Sequence, residues 1–416
     1  MNTLSVVIPA LNEENGIADI IERVLSIKAA LAEVGVPDLE LIVVDDGSTD
    51  RTPEIVAGYP EVVLIKHLVN QGYGAAIKTG FRHARGNMLA FLDADGTYPP
   101  EYYPQLCRPI LEDGADLVIG SRMAGSDSEM PLVRRIGNTI FATLVSIISN
   151  HRVTDSASGQ RVIRADILAH LYPLPDGLNF TPVMSTRAMH EQIKVVEVAI
   201  PYSERVGRSK LSVVRDGYRF LNSILMTALT YNPVRIFGLA GFGLVVLGIL
   251  IGLTSLLAAQ VSSRPDAQFA ALFAGLVLAS AGINVFAIGA TFNYLVSLFH
   301  KRQIRQGLLG RPIFQSPLET HFGWLGLVTI LAGFLVYALA VWQNLTAPGS
   351  MAPWFAPAVS AVLVLTGLNL VTSWLLIIVL AELSQRETRA VADLGEVAVL
   401  AEAKARKVDV VAPVVS

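Results

Sequence analysis

The sequence predicts an open, mostly parallel α/β sheet followed by an all-α membrane domain of four transmembrane helices. Three observations predict it. Residues 1–220 alternate short apolar runs with segments of helical periodicity, as strands joined by crossover helices do. Acidic and small polar residues recur where those runs end, the edge at which open α/β sheets place their ligands. From Phe322 to Ala381 no residue is charged, enough for two bilayer crossings at about 20 residues each.

The first run, LSVVIPA (Leu4–Ala10), is continuously apolar, which predicts a strand buried on both faces. NEENGIADIIERVLSI follows with apolar residues at helical spacing, and Asn12 is placed to cap that helix. LELIVVDDGSTD repeats the pattern, a buried strand and then acids. VVLIKH, NMLAFLDAD and ADLVIGSR predict further strands, so Asp45–Asp46, Asp93–Asp95 and Ser121–Arg122 all fall at strand ends. Pro131–Ser149 and Ser209–Tyr231 mix basic residues with long apolar faces. They are either core-packed helices or helices lying in a membrane interface, basic side towards phosphates. The apolar half that follows favours the interface.

Four spans are readable, at about 236–259, 268–299, 322–345 and 355–381. Lys301, Arg302, Arg305 and Arg311 follow the second, and Arg386, Arg389, Lys404, Arg406 and Lys407 follow the fourth. The other two loops hold only Arg264, so both termini are expected in the cytosol. No span carries an acid or base, which argues against an ion-coupled transporter. The expected organisation is a cytosolic domain at 1–208, with a first interfacial helix at 131–150. A second interfacial helix at 209–232, a transmembrane domain at 233–385 and a cytosolic tail at 386–416 complete it.

Composition narrows the class. Only 16% of the 416 residues are charged, against roughly 25% in soluble domains, and 52% are hydrophobic. A net charge of −3 gives no bulk attraction to nucleic acid. The single cysteine, Cys107, excludes an internal disulfide and suits a reducing side of the membrane. The start, MNTLSVVIPALNEEN, has no basic segment followed by a long apolar region, so it reads as a strand and not a signal peptide.

FLDADGTYPPEYY places Asp93 and Asp95 one residue apart, directly after an apolar run. Such a pair at a strand end can hold Mg²⁺ or Mn²⁺, which take oxygen ligands and share their shell with substrate phosphates. The metal would neutralise charge on a diphosphate leaving group. A turn cap is the alternative reading of the same two residues. Asp45 and Asp46 can likewise accept hydrogen bonds from a ligand or cap the helix after DDGSTD.

VVIPALNEE, VVDDGSTDRT, NQGYGAAIKTGF, LDADG and GSR occur in this order. On these motifs the chain resembles family 2 glycosyltransferases with the GT-A fold. SERVGRSKLSVVRDGYRF next to NPVRIFG narrows the resemblance to polyprenyl-phosphate glycosyltransferases, similar to dolichol-phosphate mannose synthases. It covers about residues 3–240; the later spans match less, because relatives carry none, two or four. The resemblance implies a membrane-bound inverting enzyme. It would move a sugar from a UDP- or GDP-sugar to polyprenyl or dolichyl phosphate on the cytosolic leaflet of a plasma or inner membrane. A homo-oligomer stays open, since relatives with two spans can form tetramers.

Carried over by residue, the resemblance implies that Pro9, Asn12, Glu13, Asp45, Asp46, Gly72 and Gly74 shape the nucleotide-sugar site. Gly72 and Gly74 would let the backbone pass close to the donor. Asp93 and Asp95 would bind metal and diphosphate. Many relatives have a metal-ligating glutamine two residues after the second aspartate; in this chain Thr97 stands at that position, so a hydroxyl or water would substitute. Arg122, Arg134, Arg135, Arg205, Ser209 and Lys210 would receive the lipid phosphate, with snorkelling as the alternative for Arg134 and Arg135. Asp155, in TDSASGQR, would orient the acceptor, act as a base or cap a loop. With Asp95 and Arg122 it completes the expected catalytic set. A phosphate monoester is already ionised near neutral pH, so catalysis reduces to positioning and leaving-group stabilisation. Two other classes compete. A processive polysaccharide synthase would need the Gln-x-x-Arg-Trp motif, and all four tryptophans (Trp324, Trp342, Trp354, Trp374) lie in the membrane half. A non-catalytic membrane scaffold would be expected to lose the metal acids or phosphate cations, which are present.

Overall fold

A computed structural model describes residues 2–123, 130–149, 152–191, 193–203, 213–258, 265–300, 318–346 and 354–409. The chain divides into two compact units, Met1–Leu229 and Thr230–Ser416.

The first unit is built on a seven-stranded sheet: β1 Thr3–Ala10, β2 Asp38–Asp45, β3 Val62–Lys66, β4 Met88–Phe91, β5 Leu117–Ser121, β6 Arg161–Arg164 and β7 Val195–Ala199. The strand order is β3-β2-β1-β4-β6-β5-β7. β1 pairs in parallel with β2 and β4, β2 with β3, and β5 with β7. β6 alone runs antiparallel, between β4 and β5. Its register sets Arg161 opposite both Phe91 and Ile119, so the loop that precedes β6 lies at the edge where β4 and β5 end. The five apolar runs of the sequence are thus strands. β6 and β7 were not foreseen: RVIR is short and flanked by arginines, and VVEVA carries a glutamate at its centre.

Helices cover both faces. α1 Ile17–Ser26, α2 Lys28–Glu33, α3 Thr52–Ala57, α4 Tyr73–His83 and α5 Tyr103–Glu112 link the early strands. α6 Leu132–Ser149, α7 Leu168–Leu171, α8 Phe180–His190 and α9 Val213–Leu229 follow. In α1 the buried residues Ile17, Ile20, Ile21 and Val24 keep helical spacing and join Leu4, Val6 and Ile8 in one core. The alternate residues of β1 and β2 (Val7, Ile42, Val44) point to the other face, with Phe91 and Phe180. Each such aliphatic side chain contributes about 1.5–3 kcal/mol by leaving water. Phe91 meets Phe81 and Phe180 edge-on.

Asn12 does not cap α1, which starts at Ile17. It adopts φ 52°, a left-handed conformation that asparagine tolerates, and its side chain accepts the Thr49 N–H at 2.8 Å. The oxygen expected to cap α1 is engaged by the β2–α3 loop instead.

The second unit holds α10 Pro233–Ala258, α11 Pro265–His300, α12 Phe322–Thr346 and α13 Phe355–Asp409. α10 packs on α11 through glycines: a Cβ on Gly241 would lie 2.5 Å from the Gly282 carbonyl, and one on Gly248 2.4 Å from that of Gly275. This is the close backbone approach that small residues allow between apolar helices. Asn369 donates to Asn284 at 3.1 Å, and the Ser280 and Thr366 hydroxyls pair, joining α11 to α13.

Among the described residues, five helices are long and apolar enough to cross a membrane, not the four expected. Four are Pro233–Leu257, Asp266–Phe299, Leu318–Thr346 and Phe355–Leu383; the fifth is Leu132–Ser149, that is α6. At 18 residues α6 would extend about 27 Å, short of a hydrocarbon core of about 30 Å. One of its faces buries Asn138, Ala142, Val145 and Ile148, and the other exposes Leu132, Val133, Ile136 and Ile140. α9 repeats the arrangement, with Ile224 and Ala228 buried and Tyr218 and Met226 exposed. Phe141 of α6 meets Phe220 of α9 edge-on. Both helices are therefore packed on one side, and on the open one they carry apolar side chains together with Arg135, Arg215 and Arg219.

Candidate functional site

The parallel register brings the carboxyl ends of β1 and β2 together, with Ala10 beside Asp45. Pro9 lies within β1, and Asn12 and Glu13 follow it. Their backbone N–H groups donate to Ser48 and Thr52, which stitches this loop to the one after β2. Asp45 is buried and caps its own turn by accepting the Ser48 N–H at 3.2 Å. Asp46 is buried too. It pairs with His67 Nδ1 at 2.7 Å and accepts the Gln71 and Gly72 N–H groups at 2.9 and 2.8 Å, so it orders the loop leading into α4. His67 also reaches Thr79 through Nε2, at 3.0 Å.

Gly72 has φ 107°, out of reach of most side chains, and directly precedes α4. The space beside Gly72 and Gly74 is filled by the chain itself. A Cβ on Gly74 would stand 2.2 Å from the Pro175 carbonyl, and one on Gly72 2.5 Å from that of Asp176. These glycines seat the Pro175–Gly177 loop, which comes as close to their backbone as the donor is expected to. Lys78 anchors that loop as well, through Leu174 O at 2.9 Å and Asp176 at 2.5 Å.

β4 ends directly before Leu92, Asp93, Ala94 and Asp95. Tyr73, the first residue of α4, donates its hydroxyl to Asp93 Oδ1 at 2.7 Å. Burial and the neighbouring Asp93 raise the Tyr73 pKa, which keeps the phenol a donor. Asp95 Oδ1 accepts both the N–H and the hydroxyl of Thr97, at 3.1 and 2.6 Å. Gly96, at φ 76°, makes the turn between them. Thr97 thus serves as a donor to Asp95, and the turn-cap reading of the motif holds for that residue. Among the described residues no cluster of three or more His, Cys, Asp or Glu could hold a metal. Two oriented carboxylates on one turn still suit a hard cation that draws its remaining ligands from phosphate and water, the usual Mg²⁺ arrangement.

The loop before β6 closes the other side. Asp155 is fully buried and pairs with Arg122 through two 2.7 Å contacts, Nε to Oδ2 and Nη2 to Oδ1. Burial alone would favour the neutral acid, but Arg122 more than offsets it, and the Asp155 pKa is lowered. Arg122 in turn is held charged: burial opposes its cation, Asp155 outweighs burial, and its pKa is raised. The guanidinium lies 5.7 and 5.6 Å from the ring centroids of Tyr98 and Tyr202. Arg134 of α6 reaches the Tyr202 hydroxyl at 3.4 Å, which brings it to the same cluster. Arg135 is exposed on α6. Arg205, Ser209 and Lys210 lie outside the described residues.

Several participants were not singled out in the sequence. Glu197 of β7 accepts the Thr154 and Asp155 N–H groups at 2.9 and 3.0 Å and fixes the start of the loop. Tyr98 accepts the Gly159 N–H at 2.7 Å, and Gly159 in turn faces Asp93. Arg161 is fully buried, donates to Ser158 O and Ser156 O, and has its pKa pushed down to about 10 by burial. Tyr98 stands just after LDADG, and Gly159 and Arg161 belong to TDSASGQR, whereas Glu197 is near neither motif in the sequence. A separate open cavity of about 420 Å³ is lined by Gln71, Lys78, Arg82, Leu168, Tyr172 and Asp176, with none of the strand-end carboxylates among its walls.

The comparisons with known proteins agree with this geometry. Residues 5–172 match the family described as glycosyl transferase family 2, and residues 233–391 match a domain of unknown function (DUF8752). The chain is 34% identical over 291 residues to the low-salt glycan biosynthesis hexosyltransferase Agl6 of Haloferax volcanii, covering 69% of this chain and 68% of that one. A dolichyl-phosphate hexose transferase of the same organism is 32% identical, over 54% of this chain and 94% of its own length. An undecaprenyl-phosphate 4-deoxy-4-formamido-L-arabinose transferase of Pectobacterium carotovorum is also 32% identical, over 61% of this chain and 75% of its own. With the carboxylates at the end of β4 and relatives of this grade, the chain belongs to glycosyltransferase family 2 and is a glycosyltransferase.

Proposed function

We propose that this glycosyltransferase moves a sugar from a UDP- or GDP-sugar to a polyprenyl phosphate at the cytosolic leaflet, with inversion at the anomeric carbon. One observation carries the reading: Asp93 and Arg122 occupy a single ledge, joined through Gly159 and Tyr98. A nucleotide diphosphate and a lipid phosphate must meet within a bond length of each other, and this ledge offers carboxylates for one and cations for the other.

Mg²⁺ or Mn²⁺ held by Asp93 and Asp95 would supply charge neutralisation at the leaving diphosphate. The protein's own residues do the rest. Asp45, Asp46 and the Asn12–Thr49 contact hold the loops that border the nucleotide. Arg122, already ionised and lying against the Tyr98 and Tyr202 rings, presents cationic edge to the incoming phosphate, and Arg134 adds a second cation from α6. Arg205, Ser209 and Lys210 extend that side on the strength of their motif alone. Asp155 acts through Arg122. It is fully buried and its carboxylate is engaged, so it positions the cation and does not take a proton. None is needed, because the phosphate monoester attacks as an anion while the bond to the diphosphate breaks.

In this reading α6 and α9 lie in the interface with their open apolar faces towards lipid, and the four helices of the second unit anchor the enzyme. The test is a panel of labelled nucleotide sugars offered to purified protein with undecaprenyl phosphate. The expected result is a lipid-extractable labelled product from at least one donor, formed only with divalent metal. Product formation unchanged by chelation would remove the metal role of Asp93 and Asp95.

A further inference from the structure

The Asp93 carboxylate is held from two directions by residues far apart in sequence. From α4, the Tyr73 hydroxyl donates to Oδ1 at 2.7 Å. From the loop before β6, Gly159 presents a bare Cα: a Cβ there would stand 2.8 Å from Oδ2, 3.0 Å from Oδ1 and 3.0 Å from the Tyr98 ring. Gly159 cannot drift away to relieve such a clash, because its N–H is tied to the Tyr98 hydroxyl at 2.7 Å. We infer that Tyr73 and Gly159 are positioning residues that fix the orientation of the Asp93 carboxylate and so set the affinity for the metal–nucleotide diphosphate. The inference rests on the proposed function and deepens it.

The physical reason is preorganisation. A free aspartate swings about two side-chain torsions, and ordering it when the ligand arrives costs affinity. A hydroxyl on one oxygen and a close wall beside both hold it in place beforehand. Partners that orient a metal ligand typically change metal affinity by about 10–100-fold when removed. Tyr73→Phe deletes only the hydroxyl and keeps the ring that packs in the second core cluster. Gly159→Ala removes no donor or acceptor and adds a methyl that pushes on Asp93 and on the edge of the Tyr98 ring.

The experiment is calorimetric titration of MnCl₂ into the purified full chain, with UDP or GDP present, for wild type and both variants. The steady-state KM for undecaprenyl phosphate is measured in parallel. Expected is a Mn²⁺ affinity about tenfold or more weaker in each variant. The lipid KM should stay unchanged, and transfer should return when Mn²⁺ is raised. Wild-type Mn²⁺ affinity in both variants, with wild-type melting temperatures, overturns the inference while leaving the proposed function standing. Absence of Mn²⁺ binding to the wild type with either nucleotide overturns both.

Discussion

The two units of this chain hold themselves together with opposite chemistry. The sheet unit buries charge and pairs it: Asp46 with His67 and two backbone N–H groups, and Asp155 with Arg122. The helical unit joins its helices by bare backbone at Gly241–Gly282 and Gly248–Gly275, and by the neutral pairs Asn284–Asn369 and Ser280–Thr366. A buried charge is destabilising unless it is paired, so a fold keeps it where a rigid, charged surface has a task. On the proposed function, the chemistry belongs to the first unit and anchoring to the second.

The comparison is sharpened most by breaking the strongest buried pair. Asp155→Asn leaves the Arg122 guanidinium buried without its counter-charge and should cost about 3–5 kcal/mol of stability, read as a fall in melting temperature. The effect has a defined pH sign. The folded pKa of Asp155 is lowered from an unfolded value of about 3.9, so its contribution is complete above that value and is lost as pH falls through the lowered one. The gap between wild type and variant should stay constant from neutral pH to about pH 4 and close only in stronger acid. A gap that closes between about pH 7 and 5 would break the account of this pair.

Next in size is Asp95→Ala. It should lower transfer by about 10²–10³-fold, comparable to losing one strong stabiliser of developing charge, and cost about 1–3 kcal/mol of stability by leaving the Thr97 donors unpaired. Gly74→Ala follows. Its methyl would meet the Pro175 carbonyl at 2.2 Å, and relief should cost about 1–3 kcal/mol, measured by denaturant or heat. The smallest effect is expected in the second unit. Asn284→Ala should cost about 0.6 kcal/mol, typical of polar pairs between membrane helices, and leave transfer unaltered. A large loss of transfer in that variant would erase the division of labour between the units.

The sequence made the skeleton of the first unit readable because buried parallel strands are continuous apolar runs, and β1 to β5 all have that signature. β6 escaped because its four residues begin and end with arginine, and Arg161 is buried by loop carbonyls that no local pattern announces. The carboxylates of LDADG and the acids of VVDDGSTD were visible because they stand at strand ends. What each of them touches was not. Tyr73 reaches Asp93 only once α4 folds back over β1 and β2, and Gly159 reaches it only because β6 runs antiparallel. Gly72 and Gly74 illustrate the same limit, since a glycine needed for close approach looks the same whether a ligand or the chain's own loop draws near.

The proposed chemistry turns on a nucleophile that arrives already ionised, with no base at the site. The most direct measurement offers the purified enzyme equal amounts of undecaprenyl phosphate and undecaprenol with a labelled donor sugar, and separates the two lipid products. Label confined to the phosphate lipid is the predicted result. Comparable glycosylation of undecaprenol would mean that a hydroxyl proton is being removed, which contradicts Asp155 as a positioning carboxylate and Arg122 as the receiver of an anionic headgroup.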